Sequence, residues 1–205
     1  MPTMEALAEF WAEEGLDHVI PGTGEEFPEG FDVYDLLRQV VDPSNGVLEV
    51  GCGYGRLCKA FPADKYIGVD VNPRAIDRAR AENPGYRFEV IRPADPMPKI
   101  GVALLYAVAL HIPDEELARF LMPICEAAPA VAILEIMDRR WRRDGNPPVF
   151  NRDPEQYVLE MANRGYLLRR FGKAVYERYN RPPWNADRDT RMSIHLYAKA
   201  RNAAD

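Results

Sequence analysis

From Gly46 onward, short apolar runs alternate with helix-like segments, and few folds accommodate that order. The runs are nearly apolar on both faces, and five stand out: "GVLEV", "KYIGVDV", "YRFEVI", "VALLYAVAL" and "AVAILEIM". Strands that are buried on both faces and separated by helices are typical of a parallel sheet covered on both sides. We therefore predict an α/β fold with a doubly wound, mostly parallel sheet and helices on both faces.

Three segments between these strands predict helices. Residues 56–61 carry apolar side chains at helical spacing, and Pro62 ends that segment. A second helix begins with Asn72, a good N-cap residue, and with Pro73 at its first position. The third follows the acidic "PDEE", and Pro123 inside its apolar repeat must kink that helix or end it early.

The tail of the chain has a different pattern. A helix-like segment, "DPEQYVLEMANRG", precedes two strand-like runs, "YLLRRFGKAVYERY" and "MSIHLYAKA". The polar, proline-rich "NRPPWNADRDT" joins the two runs, so we predict a C-terminal antiparallel hairpin at the end of the parallel sheet. Residues 1–33 have the pattern of a helix and an irregular arm, which we interpret as a candidate lid on a main domain of residues 34–205.

A glycine-rich turn follows the first predicted strand. Ligands of open parallel sheets bind beyond the carboxyl ends of the strands, and the segment "GCGYG" lies there, directly after Val50. Missing side chains let a ligand approach the backbone, and amides at the start of the next helix offer donors. Asp70 ends the second strand, where its carboxylate can accept both hydroxyls of a ribose. Together these features predict a nucleoside-binding site.

The glycine spacing, G-x-G-x-G, differs from the G-x-G-x-x-G of dinucleotide-binding turns, which disfavours a nicotinamide dehydrogenase. The segment "VLEVGCGYG" resembles motif I of the class I S-adenosylmethionine-dependent methyltransferases. The segments "GVDVNPRAIDRAR" and "LYAVALHIPDEELARFL" are similar to that family's second strand and helix and to its post-motif-II region. The resemblance covers roughly residues 34–200 and implies a seven-stranded Rossmann-like sheet, S-adenosylmethionine as cofactor and methyl transfer as activity.

The resemblance also implies roles for individual residues. Gly51, Gly53 and Gly55 would cradle the methionyl and ribose portions of the cofactor, with backbone contributions from Cys52 and Tyr54. The other implied contacts are ribose binding by Asp70, adenine packing by Val71, an indirect contact by Glu49, and a backbone contact to the methionyl ammonium at Tyr106 and Ala107.

The residue that accepts from the adenine amino group stays open. The family usually has an acid shortly after the third strand, where this chain reads "IRPADPMP". Asp95 is the candidate, although a shift of the alignment places Arg92 or Pro93 at that position.

His111 is the candidate general base. Methyl transfer from a sulfonium needs mainly positioning, because the cofactor is already activated, and a base is needed only for a protonated nucleophile. A histidine in "LHIPD" is more often a cofactor-binding or turn residue than a base, and both roles remain open.

Three segments are candidates for contact with the acceptor. They are the loop "DRRWRRDGNPPVF" with Arg139 and Trp141, the hairpin loop with Tyr179 and Trp184, and the N-terminal helix with Trp11. Clustered arginines and aromatics suit an anionic small molecule, a nucleic-acid backbone, or a solvated loop whose charges pair with nearby acids. The interleaved acids and a net charge of −6 favour a small ligand over nucleic acid.

The cysteine content and the hydropathy of the chain narrow the class of protein further. The three cysteines, Cys52, Cys58 and Cys125, show no metal-ligand spacing, so we expect reduced thiols in packing or turn positions and no metal site. No run approaches the length of a membrane span, and the N-terminus lacks the pattern of a signal peptide. We therefore predict a cytoplasmic protein with no membrane association.

Taken as a whole, the sequence predicts a methyltransferase that acts on an oxygen or nitrogen atom of a small-molecule acceptor. One alternative is an RNA or protein methyltransferase that uses the arginine-rich loop 139–143 as its contact surface. Another is a protein that binds S-adenosylmethionine without turnover. The identity of the acceptor and the oligomeric state are left open by the sequence.

Overall fold

In the computed structural model, which describes residues 3–13, 31–93, 95–145, 148–175 and 191–200, seven strands form one sheet. The strands are β1 (Val47–Val50), β2 (Tyr66–Asp70), β3 (Arg87–Val90), β4 (Val102–Tyr106), β5 (Ala130–Ile136), β6 (Tyr166–Val175) and β7 (Arg191–Lys199). The α-helices are α1 (Met4–Glu13), α2 (Val33–Val40), α3 (Pro73–Glu82), α4 (Asp114–Ala127) and α5 (Pro154–Ala162).

The strand order is β3-β2-β1-β4-β5-β7-β6, and strands β1 to β5 run parallel. This confirms the predicted mostly parallel sheet with a C-terminal antiparallel hairpin. Within the hairpin, β6 and not β7 forms the edge of the sheet. Strand β7 lies antiparallel between β5 and β6, with Ile133 opposite His195 on one side and Phe171 opposite His195 on the other.

Two apolar layers cover the sheet, one on each face. Leu37 of α2 and Ile76 of α3 pack on one face, and Leu121 of α4 and Tyr157 of α5 pack on the other. Strands β1 and β4 are buried along their whole length, as expected of strands covered on both sides. The sheet therefore presents its functional surface at the strand ends.

Two helices, α3 and α4, test the local sequence signals for where a helix begins and ends. The side chain of Asn72 accepts a hydrogen bond from the Ala75 amide at 3.1 Å, and Pro73 opens α3, as predicted. Helix α4 continues through Pro123 to Ala127, so the early end offered as one alternative does not occur. The buried side chains of this helix, among them Ile124, stabilise it despite the hydrogen bond that proline cannot donate.

The helix predicted over residues 56–61 is wrong. The chain instead makes a series of turns and one short 3₁₀ turn at Cys58–Ala60. Positive φ angles of 74°, 54° and 79° at Gly51, Gly53 and Gly55 keep the backbone outside the helical region, and Pro62 leaves too little chain for an α-helix.

All three cysteines are free and buried. Burial also raises the pKa of each thiol, most strongly at Cys52, so these side chains act as small apolar groups. None of the helices in the described part of the chain has the length and apolar character that a membrane span requires.

Candidate functional site

A cleft lies beyond the carboxyl ends of β1, β2, β3 and β4. Helix α1 forms one of its walls with four apolar side chains, Met4, Leu7, Ala8 and Trp11. The facing surface combines the glycine turn, the end of β2, the segment after β3 and the start of the segment after β4. Its residues include Gly51, Cys52, Gly53, Arg56, Asp70, Val71, Asn72, Ile91, Arg92, Pro93, Met97, Tyr106, Ala107, Val108 and His111.

The amides of the glycine turn are used within the protein. The Gly51 and Cys52 amides both donate to the carbonyl oxygen of Val69, at 2.8 and 3.0 Å. The Gly53 amide donates to Oδ2 of Asp70 at 2.8 Å. The expectation that the turn offers amide donors from the start of a helix is therefore wrong for these three amides, and no α-helix follows them.

Two glycines of the turn are required by protein packing. A Cβ atom on Gly51 would lie 2.5 Å from Cγ2 of Val108, and one on Gly55 would lie 2.6 Å from Cζ of Phe88. The close approach that we attributed to a ligand is thus made by the protein itself at these two positions. Gly51 still borders the cleft, whereas Gly55 does not line it.

Asp70 lies at the centre of the cleft floor. Its Oδ2 accepts from the Gly53 amide, and its Oδ1 accepts from the Asn72 amide at 2.9 Å. Burial raises the pKa of Asp70 above its ordinary value, and the hydrogen bonds from Asn72 and Gly53 oppose this rise. Since a carboxylate oxygen can accept more than one hydrogen bond, Asp70 retains the capacity to hold two ribose hydroxyls.

Ala107 has the only positive φ angle of a non-glycine residue in the described ranges, at 54°. Its amide donates to the carbonyl oxygen of Leu134 at 2.8 Å, which anchors the distorted backbone to β5. Such strain is concentrated at functional sites, because the surrounding structure must hold it in place. Here it turns the chain directly after β4, at the wall of the cleft.

His111 also lines the cleft, in the 3₁₀ turn Ala109–His111. Its Nδ1 lies 3.1 Å from the carbonyl oxygen of Pro148, and its ring meets the Trp11 ring edge-on at 4.9 Å. A carbonyl only accepts, so the neutral imidazole carries its proton on Nδ1 and its lone pair on Nε2. This tautomer suits a proton acceptor, and the ring contact equally suits a packing role.

A buried arginine that sequence reasoning missed holds the turn of His111. Arg152 is 1% exposed, and its Nη1 donates to the carbonyl oxygen of Ala109 at 2.9 Å. Its Nη2 donates to the carbonyl oxygen of Ile112, and its Nε lies 2.8 Å from Oδ1 of Asp114. The side chain therefore fixes the backbone on both sides of His111.

Glu135 of β5 completes this buried network. It accepts from the Leu110 amide at 3.0 Å and from the Tyr157 hydroxyl. Burial raises the pKa of Glu135 to about 7, against the opposing effects of Tyr157 and Arg152. The sequence could have indicated this network through the glutamate inside the apolar "AVAILEIM". A buried acid requires a hydrogen-bond donor or a cation nearby.

Glu49 lies in β1, behind the glycine turn. It is 2% exposed, does not line the cleft, and accepts a 2.5 Å hydrogen bond from the Tyr66 hydroxyl. Burial raises the pKa of Glu49 to about 7, whereas the Tyr66 hydrogen bond and the positive charge of Arg56 lower it. An indirect role for Glu49 stays a prediction.

Two further predicted cofactor residues lie outside the cleft lining. The ring of Tyr54 stacks under the Arg78 guanidinium at 4.1 Å. Asp95 is exposed and closes a turn by accepting from the Arg92 amide at 2.8 Å. Of the alternatives for the adenine amino group, Arg92 and Pro93 line the cleft and Asp95 does not.

The predicted acceptor residues separate into three groups. Trp11 lines the cleft. Trp141 is 9% exposed and packs in the core with residues such as Met192, so its large apolar ring is buried rather than facing an acceptor. Tyr179 and Trp184 lie outside the described residues.

The arginine-rich loop 139–143 carries charges that are paired locally. Arg139 lies 3.9 Å from Asp153, and Arg140 lies 2.6 Å from Asp138. Arg142 pairs with Asp114. The alternative of a solvated loop with paired charges therefore describes these three arginines, and no cluster of three or more metal-ligating side chains occurs among the described residues.

Comparison with known sequences gives a family match over part of the chain. Residues 47–127 match a family model described as a methyltransferase domain. The ribosomal protein L11 methyltransferase of Burkholderia cenocepacia strain HI2424 is 39% identical over 59 residues, which are 27% of this chain and 20% of that protein. The corresponding enzyme of Paraburkholderia phytofirmans is 38% identical over 60 residues. The chain spans about a fifth of the length of these curated relatives.

Solved structures resemble most or nearly all of the chain. The 4+2 cyclase SpnF has a TM-score of 0.71 at 14% identity, over 98% of both chains. The magnesium protoporphyrin IX methyltransferase of Synechocystis PCC 6803, with bound S-adenosylmethionine, has a TM-score of 0.68 at 13% identity, over 98% of both chains. The mitomycin 7-O-methyltransferase MmcR has a TM-score of 0.60 at 16% identity, over 82% of this chain and 53% of its own. At such identities the likeness establishes the fold.

Proposed function

We propose that this chain, which carries a class I S-adenosylmethionine-dependent methyltransferase domain, transfers the cofactor's methyl group to an oxygen or nitrogen atom of a small-molecule acceptor. One observation carries the proposal. The glycine turn, Asp70 and the apolar face of α1 line the same cleft. A turn and a carboxylate suited to a nucleoside therefore adjoin an apolar wall suited to an acceptor.

The residues present fit the cofactor. Asp70 can hold the ribose hydroxyls, and the apolar Val71 and Ile91 beside it suit the adenine ring. A pyrophosphate would need free amides at a helix start, but the turn amides at Gly51 and Gly53 are bonded within the protein. This supports S-adenosylmethionine over a dinucleotide.

The character of the cleft supports a small acceptor. When bound, the cofactor supplies an activated methyl group, so this chain's residues must position the acceptor and exclude water. Trp11, Met97 and Phe120 provide apolar surface for that purpose, and His111 lies among them. By their names, two of the fold relatives act on small molecules, a magnesium porphyrin and a mitomycin.

A protein acceptor is the second candidate. It is favoured by the curated relatives, whose name specifies ribosomal protein L11, although the match spans only 59 residues. An RNA or protein surface would have to be met by the loop 139–143, where Arg140 and Arg142 are already paired with acids. The local pairing therefore favours the small acceptor.

The relation to SpnF supports a third outcome, because a structure described as a cyclase shares this fold. A domain with this fold can therefore serve a reaction other than methyl transfer. Binding and turnover must be measured separately.

The test is to incubate the chain with methyl-tritiated S-adenosylmethionine and panels of small apolar alcohols, phenols and amines. We expect label transfer to at least one small molecule, together with formation of S-adenosylhomocysteine. Calorimetry should show that Asp70→Ala weakens cofactor binding by roughly tenfold or more, because a charged hydrogen-bond acceptor is lost. The control Asp64→Ala, at an exposed acid outside the cleft, should bind within about twofold of the unaltered chain.

Each alternative function predicts a different result of the label-transfer experiment. Label in a ribosomal protein or RNA fraction, with none in the small-molecule panels, would replace the proposal with the second candidate. Cofactor binding without label transfer to any fraction would indicate a non-catalytic protein or another reaction.

A further inference from the structure

The chain before α5 is hydrogen-bonded to the turn that carries His111 into the cleft. The Phe150 amide donates to the carbonyl oxygen of Leu110 at 2.6 Å. Two residues earlier, the carbonyl oxygen of Pro148 lies 3.1 Å from Nδ1 of His111. The orientation of the His111 ring therefore depends on how firmly residues 148–152 are held against this turn.

Arg152 joins the two segments from the buried side. Its guanidinium donates to the carbonyl oxygens of Ala109 and Ile112, the residues on either side of Leu110 and His111. Because both carbonyls accept from one rigid, planar group, the backbone between them is held in a single arrangement. Arg152 is 1% exposed and does not line the cleft, so its effect on a reaction there would pass through His111.

The charge of Arg152 is matched by the start of α4. Its Nε lies 2.8 Å from Oδ1 of Asp114, the first residue of that helix. Its Nη1 lies 3.4 Å from the Tyr157 hydroxyl, which donates to Glu135. Apolar residues of similar volume often replace a buried ion pair without loss of stability, so stability alone does not explain a buried cation at this position.

We propose that Arg152 is a positioning residue for His111, which holds residues 109–114 against residues 148–152 and so keeps the imidazole hydrogen-bonded to the Pro148 carbonyl. The neutral ring then stays in the cleft with its lone pair on Nε2, in the tautomer that suits a proton acceptor. The consequence for turnover rests on the proposed function, since it concerns the same reaction.

The tautomer of His111 is a readout that a merely structural role of Arg152 would not change. In the full chain labelled with ¹⁵N-histidine, the ring-nitrogen shifts at about pH 8, where an ordinary histidine is neutral, distinguish the Nδ1–H and Nε2–H forms. The variant His111→Gln assigns the signals. We expect the Nδ1–H form to predominate by about two- to tenfold in the unaltered chain, as for one hydrogen bond to a carbonyl oxygen.

Arg152→Met should remove this preference, and Arg152→Lys should restore part of it, because lysine keeps the charge beside Asp114 without the planar fork. The kcat for methyl transfer should follow the same order, with a loss of up to about a hundredfold in Arg152→Met, as for a misplaced catalytic group. The KM for S-adenosylmethionine should stay within about threefold. If Arg152→Met does not fold, Arg152→Lys alone decides the comparison.

Tyr166→Phe is the matched control, because it also removes buried hydrogen bonds at α4. The Tyr166 hydroxyl donates to the carbonyl oxygens of Cys125 and Ala128, at the opposite end of that helix from Asp114. This variant should lower the free energy of unfolding and leave both the tautomer ratio and kcat unchanged.

An unaltered tautomer ratio in the folded Arg152 variants, or an equal change in Tyr166→Phe, would overturn the inference and leave the proposed function intact. A changed ratio with an unchanged kcat would overturn the consequence for turnover. Absence of methyl transfer by the unaltered chain would overturn the proposed function, whereas the tautomer ratio would still decide whether Arg152 positions His111.

Discussion

At Gly51 the absence of a side chain admits Val108, whose Cγ2 would lie 2.5 Å from a Cβ atom there. The neighbouring backbone is strained at Ala107, with its φ of 54°. These two positions hold the ends of β1 and β4 together at the cleft. The glycine pattern therefore determines the shape of the cleft through packing within the protein. Any contact between the turn and a ligand depends on that shape.

His111→Gln tests the role of the imidazole at the residue scale. If Nε2 accepts the acceptor's proton, kcat should fall by about 10²- to 10⁴-fold. The affinity for S-adenosylmethionine should stay within about threefold, since the amide of glutamine can still donate to the Pro148 carbonyl oxygen. The measurement is steady-state turnover beside calorimetry, and an unchanged kcat would assign His111 to packing against Trp11.

Whether the contacts of a residue can be predicted from the sequence depends on how far along the chain its partners lie. The cap at Asn72 has its partner, Ala75, three residues away, and a local pattern predicts it. Arg152 contacts the carbonyl of Ala109, which is 43 residues away, and only the fold brings the two together. The sequence located the cleft through local signals such as Asp70, but not the network behind it.

At the scale of elements, α1 is attached to the cleft at both ends. Near its start, Glu5 pairs with Arg119 of α4, and near its end the Trp11 carbonyl oxygen accepts from Asn72 Nδ2 at 2.9 Å. The Arg74 guanidinium donates to the Glu13 carbonyl oxygen. Helix α1 thus bridges α4 and the start of α3 across the cleft, which supports the interpretation of the N-terminal segment as a lid.

Glu5→Gln tests whether α1 acts as a lid. We expect the dissociation rate of S-adenosylhomocysteine to rise about two- to fivefold at low salt, because an exposed ion pair contributes modestly. In 1 M salt, which screens the pair, the variant and the unaltered chain should dissociate at similar rates. Stopped-flow fluorescence measures both conditions, and Glu9→Gln, an exposed acid on the same helix, is the control. Equal rates at low salt would contradict a lid role for the pair.

Elements built from regular patterns were predictable, and irregular ones were not. Two-sided apolar burial predicted β1 and β4, and both are buried throughout. The helical spacing over 56–61 was misleading, because the preceding glycines hold positive φ angles that no periodicity reveals. The sequence pattern of a hairpin does not indicate which of its two strands pairs with the parallel sheet. The position of β7 between β5 and β6 could therefore not be predicted from it.

For the whole molecule, two buried glutamates couple stability to pH. Burial raises the pKa of Glu49 and of Glu135 to about 7, from an ordinary value of 4.5. Between these values an unfolded chain releases protons that the native chain retains. The unfolding free energy therefore falls as pH rises from about 4.5 to 7, by roughly 3 kcal/mol for each glutamate.

Urea unfolding at pH 5, 6, 7 and 8 measures this slope, and Glu135→Gln should reduce it by about half. Glutamine keeps an oxygen that can accept from the Tyr157 hydroxyl, so the variant should fold. Glu126→Gln, at an exposed position, should leave the slope unchanged. A slope that Glu135→Gln does not alter would show that this carboxyl does not retain its proton in the native state.

The place of β7 also matters while the chain is being synthesised. Ile136 pairs with Met192 and Ala130 with Ala198, so in the described sheet the outer edge of β5 has no partner strand until β7 has left the ribosome. The strand made before it, β6, cannot substitute, because it attaches only to β7. A nascent polypeptide of this kind exposes an apolar, unpaired strand edge until β7 has been synthesised, and a chaperone that covers this edge would keep it from pairing with another chain.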